Sequence, residues 1–503
     1  MRPRAGSESP REHNEILIIS PAFGGKLPEA LRDLPGRRRI VTSYAEDSVV
    51  FQARAPVNNL TTPASQPDSL TAALVRLIRE KPVAKADLDA AALFTLDAVA
   101  NSLAGRNSDP GRILLNWWQA SASSNMAPEP ERFAFLMGAL CHILETDDLH
   151  RMSVVHPGCV VVPAAWALAL KRKAGGRALL TAILHGFEAA TRVGMAVGPA
   201  HYRIWHNTAT CGPFGAAMAA GELLGLNDEA AVDALGNAGS QSSGLWQFLE
   251  TGAMTKHLHA GHAAQAGVKA AELAVFGFTG PPRILEGEKG FFRAACPDAD
   301  PDAVTRNPGA PWQLTLTSIK PWPSCRHTHP SIDAGEELRA RLLAEGIAPE
   351  RIAQVDVSTY QAALDVCDRP VALSDYEAKF SLQHAVATSL LYPRVDFEAF
   401  GSAARTYCAA LAARIRVNAA DPWASAYPTA WGGRVRLRLD NGTEYVAERS
   451  HAKGDPEAAL SRDELIAKAE MLLRHGGVDE PRRIIDGVLG MAADGPLPDL
   501  DMV

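Results

Sequence analysis

Lys256, His257, His259 and His262 stand at the head of the stretch KHLHAGHAAQAGVKAAELAVFGFTGPP, where most other side chains are Ala or Gly. Small side chains let helix backbones approach closely, so a charged group placed among them loses part of its water. A partly desolvated lysine is a candidate for a lowered pKa, and hence for acid–base work or for holding a carboxylate. A packing helix with an ordinary surface lysine would read the same way. Other blocks also set ionisable groups beside small residues. HILETDDLHRMSVVHPGC carries Glu145, Asp147, Asp148 and His156, and HYRIWHNTATCGPFG carries Tyr202 and His206. SIKPWPSCRHTHPSIDAG carries Lys320, Arg326 and His329, and EAKFSLQHAVATSLL follows it. Tyr202 precedes His206 by four residues, so a phenol and an imidazole would flank a substrate if both lie near one face; a loop tyrosine has the same spacing. The acidic cluster offers hard oxygen ligands for a divalent ion. Carboxylates at a helix end are more often solvated or bonded to a lysine, and no metal is expected.

Such residues need a large scaffold to hold them together. The chain has 503 residues, enough for two or three domains and a sizeable core. Its net charge of −7, with both signs mixed, gives no basic stripe for nucleic acid. Seven cysteines (141, 159, 211, 296, 325, 367, 408) are scattered without a CxxC pair, which suits reduced thiols and lacks the clustered spacing of many iron–sulfur or zinc sites. The apolar runs ILIISPAF and VVVPAAWALAL are short or broken by Pro, well under the ~20 residues that span a bilayer. The N-terminus has Arg but no long apolar segment of a secretory signal. A soluble, cytoplasmic protein without nucleic-acid or membrane partners is expected.

Residues 1–68, rich in Pro, Arg and Ser, read as an N-terminal extension, partly disordered. From Ser69 the apolar spacing is helical, through LTAALVRLIREK, DLDAAALFTLDAVANSLAG, FAFLMGALCHILE and RALLTAILHGFEAATRVGMAVG, and the region to about 315 reads as nearly all helix. After Ser318 the pattern changes. RIAQVDVSTY, ARIRVNA and GRVRLRLDNGTEYVAER alternate apolar and polar residues, with a hairpin signal at Asn441-Gly442. SRDELIAKAEMLLRH returns to helix with Ser461 as N-cap. The expected architecture is mainly α. A large helical domain (69–317) is followed by an inserted α+β lid (318–452), and a C-terminal helical return (453–503) rejoins the first.

In this order and spacing the five blocks resemble the MmgE/PrpD family, over residues 69 to 490. That family includes 2-methylcitrate dehydratases, citrate dehydratases, cis-aconitate decarboxylases and an iminodisuccinate epimerase. The resemblance implies a cleft between helical domain and lid, a homodimer, a small di- or tricarboxylate substrate, and neither organic cofactor nor metal. Without a cofactor, the protein itself must supply a base, an acid and cationic clamps for developing enolate charge. By the resemblance His206 and Lys256 carry proton transfer and His156, in His-Pro-Gly, assists. Lys320, His329, Arg326 and Asp147 are then the substrate-binding candidates. If Lys256 lies near His206, its ammonium should lower the imidazole's pKa, while His257 should point off that face. The leading expectation is a lyase that dehydrates a 2-methylcitrate- or citrate-like acid. The alternative is an epimerase with Tyr202 and Lys256 as its two bases; a non-catalytic carboxylate-binding protein is a weaker one. Decarboxylase members carry Asp-Phe-Asp-Asp-Thr where this chain has Glu145-Thr146-Asp147-Asp148-Leu149, and a lid histidine where it has Cys325. Both departures disfavour cis-aconitate decarboxylation.

Overall fold

Ala and Gly at helix contacts set the geometry of the larger part of the fold. The structure is a computed structural model that describes residues 68–120 and 129–502; the expected N-terminal extension, apart from Asp68, lies outside the described residues. The helix Thr255–Val275 runs through the middle of the bundle, packed against Asn207–Leu224, Pro130–Cys141 and Gly158–Arg172. A Cβ on Gly267 would sit 2.3 Å from the Ala216 methyl, so the two long helices touch backbone to backbone at that level. Gly186 and Gly215 make a second such contact, each Cβ position lying under 3 Å from the other's carbonyl. This close approach is what leaves little water around any polar side chain the helices carry.

One largely buried charged network fastens the bundle to its flank. Glu188, on the helix Gly176–Ala196, accepts from Arg192 Nε at 2.8 Å, from Lys81 Nζ at 2.9 Å and from the Gln313 amide at 2.8 Å. It thereby ties two distant segments, at Lys81 and Gln313, to its own helix.

The second part is a four-stranded sheet in the order β2-β1-β3-β4, where β1 is Ile352–Thr359, β2 Ile415–Ala419, β3 Gly433–Leu439 and β4 Glu444–Arg449. β1 pairs parallel with β2 and antiparallel with β3. In β3 the alternation is complete. Val435, Leu437 and Leu439 face a core with Leu338, Leu342, Val386 and Leu390 from the helices His329–Ala344 and Leu382–Leu391, and Arg434, Arg436 and Arg438 point the other way. Gly442, at φ +87°, makes the expected hairpin turn into β4. The helix Arg462–His475 starts at Ser461 with Glu464 completing a capping box, and packs on Lys85–Gly105 in the first core. Its Lys468, buried, donates to Asp97 at 2.5 Å and to the Thr146 carbonyl at 2.7 Å, one residue from Asp147.

The helical reading extends too far at one place. Among the described residues, the only α-helix between Val275 and His329 is the short Phe291–Ala295; the rest is turns and 3-10 segments. Eight prolines from Pro281 to Pro323 remove amide donors along this stretch and prevent longer helices. It ends where Leu149 and Ser318 exchange two backbone hydrogen bonds of 2.8 Å, which brings the acidic segment and Lys320 side by side.

Candidate active site

Where the helix Pro130–Cys141 ends, the chain turns sharply and Glu145 takes a left-handed backbone, φ +61°. A residue with a Cβ seldom adopts that conformation, and here it aims a carboxylate into the interior. Glu145 is 1 % exposed and pairs with Lys256, itself buried in the first turn of the helix Thr255–Val275. A lysine at a helix N-terminus meets the positive end of the helix dipole, so a buried counter-charge is required. Burial pulls the Lys256 pKa down, but Glu145 more than offsets it and holds the ammonium above its ordinary value. The expectation of a lowered lysine pKa is therefore overturned: Lys256 is a protonated, held cation. Burial likewise pushes Glu145 up, and Lys256 and Lys320 together bring it below the usual carboxylate range.

Lys320 has no exposed surface. Its Nζ lies 3.6 Å from Glu145 and 3.6 Å from Asp147, and no group is within hydrogen-bond distance. A buried ammonium without a hydrogen-bond acceptor is costly, and a substrate carboxylate would supply one.

Three imidazoles gather beside these lysines. His156 places Nδ1 at 2.6 Å from the Asp148 carbonyl, which can only accept, so the neutral ring carries its proton on Nδ1 and leaves Nε2 free to take one. Burial lowers its pKa to about 4, against the opposing pull of Asp147 at 3.3 Å. His206 is the residue just before the helix Asn207–Leu224 and is buried; its Nδ1 lies 3.3 Å from His259 Nδ1 and its Nε2 has no partner. Its pKa falls well below the ordinary value, as expected. Burial is the largest cause, and the neighbouring His142, Lys256 and His259 add to it. His142, which no sequence motif singled out, stacks 5.6 Å from His206 and holds Asp147 at 2.5 Å through Nδ1.

These groups close one end of a cavity of about 520 Å³ between the helical bundle and the sheet-bearing part. Of the expected residues, His156, Tyr202, His206, Lys256, Lys320 and Arg326 line it, and Asp147 and His329 do not. Asp147 is a correction: its carboxylate, spent on His142 and His156, would repel an acid substrate and instead orients the rings. His329 is a second, since it begins the helix His329–Ala344 and its Nε2 is 3.2 Å from the Ser324 carbonyl. Its neighbour His327 takes the lining position, stacked 4.7 Å from Trp431 with Nδ1 2.8 Å from the Tyr360 hydroxyl. The 3-10 turn Arg326–Thr328 decides which of the two imidazoles turns inward. Arg326 is buried and already paired with Asp455, although its Nε and Nη1 have no partner. His257, expected to point off the face, is buried, and burial takes its pKa to about 3.

Tyr202 stands edge-on to Trp246 at 5.5 Å, and Trp246 in turn lies 4.6 Å from His206. Burial raises the Tyr202 phenol well above its ordinary value. With Lys256 also held protonated, neither residue of the two-base alternative is in its base form at neutral pH.

Metal-ligand chemistry is weak here. Among the described residues two groups bring three such side chains together, His142–Asp147–Cys159 and His451–Asp455–Glu457. In the first, burial raises the Cys159 thiol far from its ligating thiolate form. In the second, Arg151 and Arg326 already neutralise the carboxylates. No helix among the described residues is long and apolar enough to cross a membrane.

Curated relatives include a cis-aconitate decarboxylase-like protein of Aspergillus oryzae, 31 % identical over 42 % of this chain and 47 % of the relative. A cis-aconitate decarboxylase of Aspergillus terreus is 26 % identical over 72 % of this chain and 78 % of the relative. The Homo sapiens cis-aconitate decarboxylase is 30 % identical over 52 % and 55 %. The chain thus spans about half the length of the first relative and of the human one. The MmgE/PrpD N-terminal domain matches residues 71–304, which hold Glu145, His156, His206 and Lys256, and the MmgE/PrpD C-terminal domain matches residues 322–490, which hold His327 and Trp431. The chain belongs to the MmgE/PrpD family.

Proposed function

We propose that this protein is a cofactor-independent lyase that dehydrates a small hydroxy di- or tricarboxylate. The observation that carries the reading is the pairing of a buried, unpartnered Lys320 ammonium with neutral imidazoles whose Nε2 atoms are free, at one end of a cavity. Lys320 and Lys256 hold the carboxylate. His206 takes the proton from the neighbouring carbon, and the electron pair moves into the carboxylate as an enolate that the two ammonium groups stabilise. The C–O bond then breaks, and the departing hydroxide takes back the proton from the imidazolium and leaves as water. His156, fixed by the Asp148 carbonyl, assists in the same transfer. The test is incubation with citrate, 2-methylcitrate and cis-aconitate in deuterated water. Water loss appears as unsaturated product from the hydroxy acids. Release of carbon dioxide from cis-aconitate, with the hydroxy acids inert, favours the second reading, a decarboxylase, which the curated relatives' names support.

The titration states lead to an expected pH profile. Both imidazoles act unprotonated: His156 stays so until the pH approaches about 4, and burial holds His206 well below its ordinary value. kcat/KM is therefore expected to hold steady from neutral pH downward and to fall as the pH passes through about 4. An acid limb centred near 6.5 would show that neither imidazole is shifted. Activity is also expected to survive dialysis against a chelator; a loss restored by one divalent ion would refute a metal-free reaction. The working form is expected to be a homodimer. Val275, Phe276 and Phe278 lie exposed at and just beyond the end of one helix, apolar side chains that a second copy would cover. A monomer mass by light scattering at micromolar concentration would rule this out.

A further inference from the structure

We infer that the natural substrate carries an apolar alkyl or aryl arm beside its carboxylates. This rests on the reading of the site as a carboxylate lyase, and charge and wall chemistry carry it further. At the inner end, the ammonium groups of Lys256 and Lys320 stand beside two carboxylates, Glu145 and Asp147. Lys320 can take one substrate carboxylate, and the free edge of Arg326 can receive a second.

Much of the remaining wall is hydrocarbon: Trp246, Leu249, Val366, Phe380, Tyr427 and Trp431 line it, with Arg203, Gln361 and Asp365 as polar members. The polar edge of Trp431 is already used, since its Nε1 donates to the Pro428 carbonyl at 3.1 Å. A volume of about 520 Å³ falls in the range that takes drug-sized ligands and exceeds what a six-carbon acid fills.

The test is calorimetric titration of the intact protein with malate, 2-butylmalate, 2-benzylmalate and citrate, with dehydration of each followed in parallel. Affinity is expected to rise at least tenfold from malate to the butyl or benzyl acid, with citrate weaker than either. Val366→Asp, which sets a carboxylate in the apolar wall, is expected to abolish that gain while malate binding changes only a few-fold. Citrate binding as tightly as the substituted acids, or a gain that survives Val366→Asp, overturns the inference. Faster dehydration of citrate or 2-methylcitrate than of the substituted acids also overturns it and leaves the lyase reading standing. Tight binding of the benzyl acid without water loss or deuterium exchange does the reverse: it overturns the lyase reading and supports the arm.

Discussion

His206→Ala is expected to lower turnover by roughly 10²- to 10⁴-fold, the range for a positioned acid–base group. The ring is buried with its Nε2 unpartnered and burial keeps it neutral, so nothing else in the protein uses the atom that is removed. Lys256→Ala should cost a similar factor by a different route. It removes a clamp and leaves the Glu145 carboxylate buried beside Lys320 alone, so Lys320 is drawn toward Glu145 and away from the substrate. Because the two residues serve one transition state, the double variant is expected to be little slower than the slower single one. Steady-state rates with citrate-like acids check this, with circular dichroism confirming that each variant folds. Wild-type rates in His206→Ala would remove the imidazole from the mechanism, and a multiplicative double variant would mean that the two act independently.

The largest expected effect on stability lies far from the cavity. Glu188→Ala removes the carboxylate that Arg192, Lys81 and the Gln313 amide share, and Arg192 is fully buried. A guanidinium cannot shed its charge at any pH the fold survives. Breaking a buried pair from one side costs about 3–5 kcal/mol, which should appear as a clear drop in the urea midpoint. Below that midpoint the enzyme should turn over at the normal rate, since Glu188 does not line the cavity. An unchanged midpoint would mean that water or backbone carbonyls solvate Arg192 adequately, and Val304 and Arg306 do already accept from it at 3.1 and 2.9 Å.

How much of this was legible beforehand depended on the range of the interactions involved. The strands β1 to β4, the Asn441-Gly442 turn and the Ser461 cap are written in local period and turn chemistry, and the structure places each where the pattern does. His156, His206, Lys256 and Lys320 came from their resemblance to a known family, and all four line the cavity. What sequence could not show was the charge state of Lys256. Its partner Glu145 stands 111 positions away on a left-handed residue that no composition rule anticipates. Arg326 looked like a free clamp because Asp455, which holds it, arrives only with the C-terminal part of the chain. His329 was preferred to His327 because nothing in Arg-His-Thr-His says which ring a 3-10 turn will face inward.

Much of the cavity's two kinds of wall comes from two separate lengths of chain. Glu145, His156, His206 and Lys256 fall within residues 71–304, together with the apolar Trp246 and Leu249, whereas Val366, Phe380, Tyr427 and Trp431 fall within residues 322–490. Mutations that reshape the hydrocarbon surface can therefore accumulate without touching a proton-handling group. An ancestor holding this chemistry could pass to a new acid through changes in its second half alone, each intermediate remaining an active enzyme. Descendants would then diverge in diet faster than in catalytic apparatus.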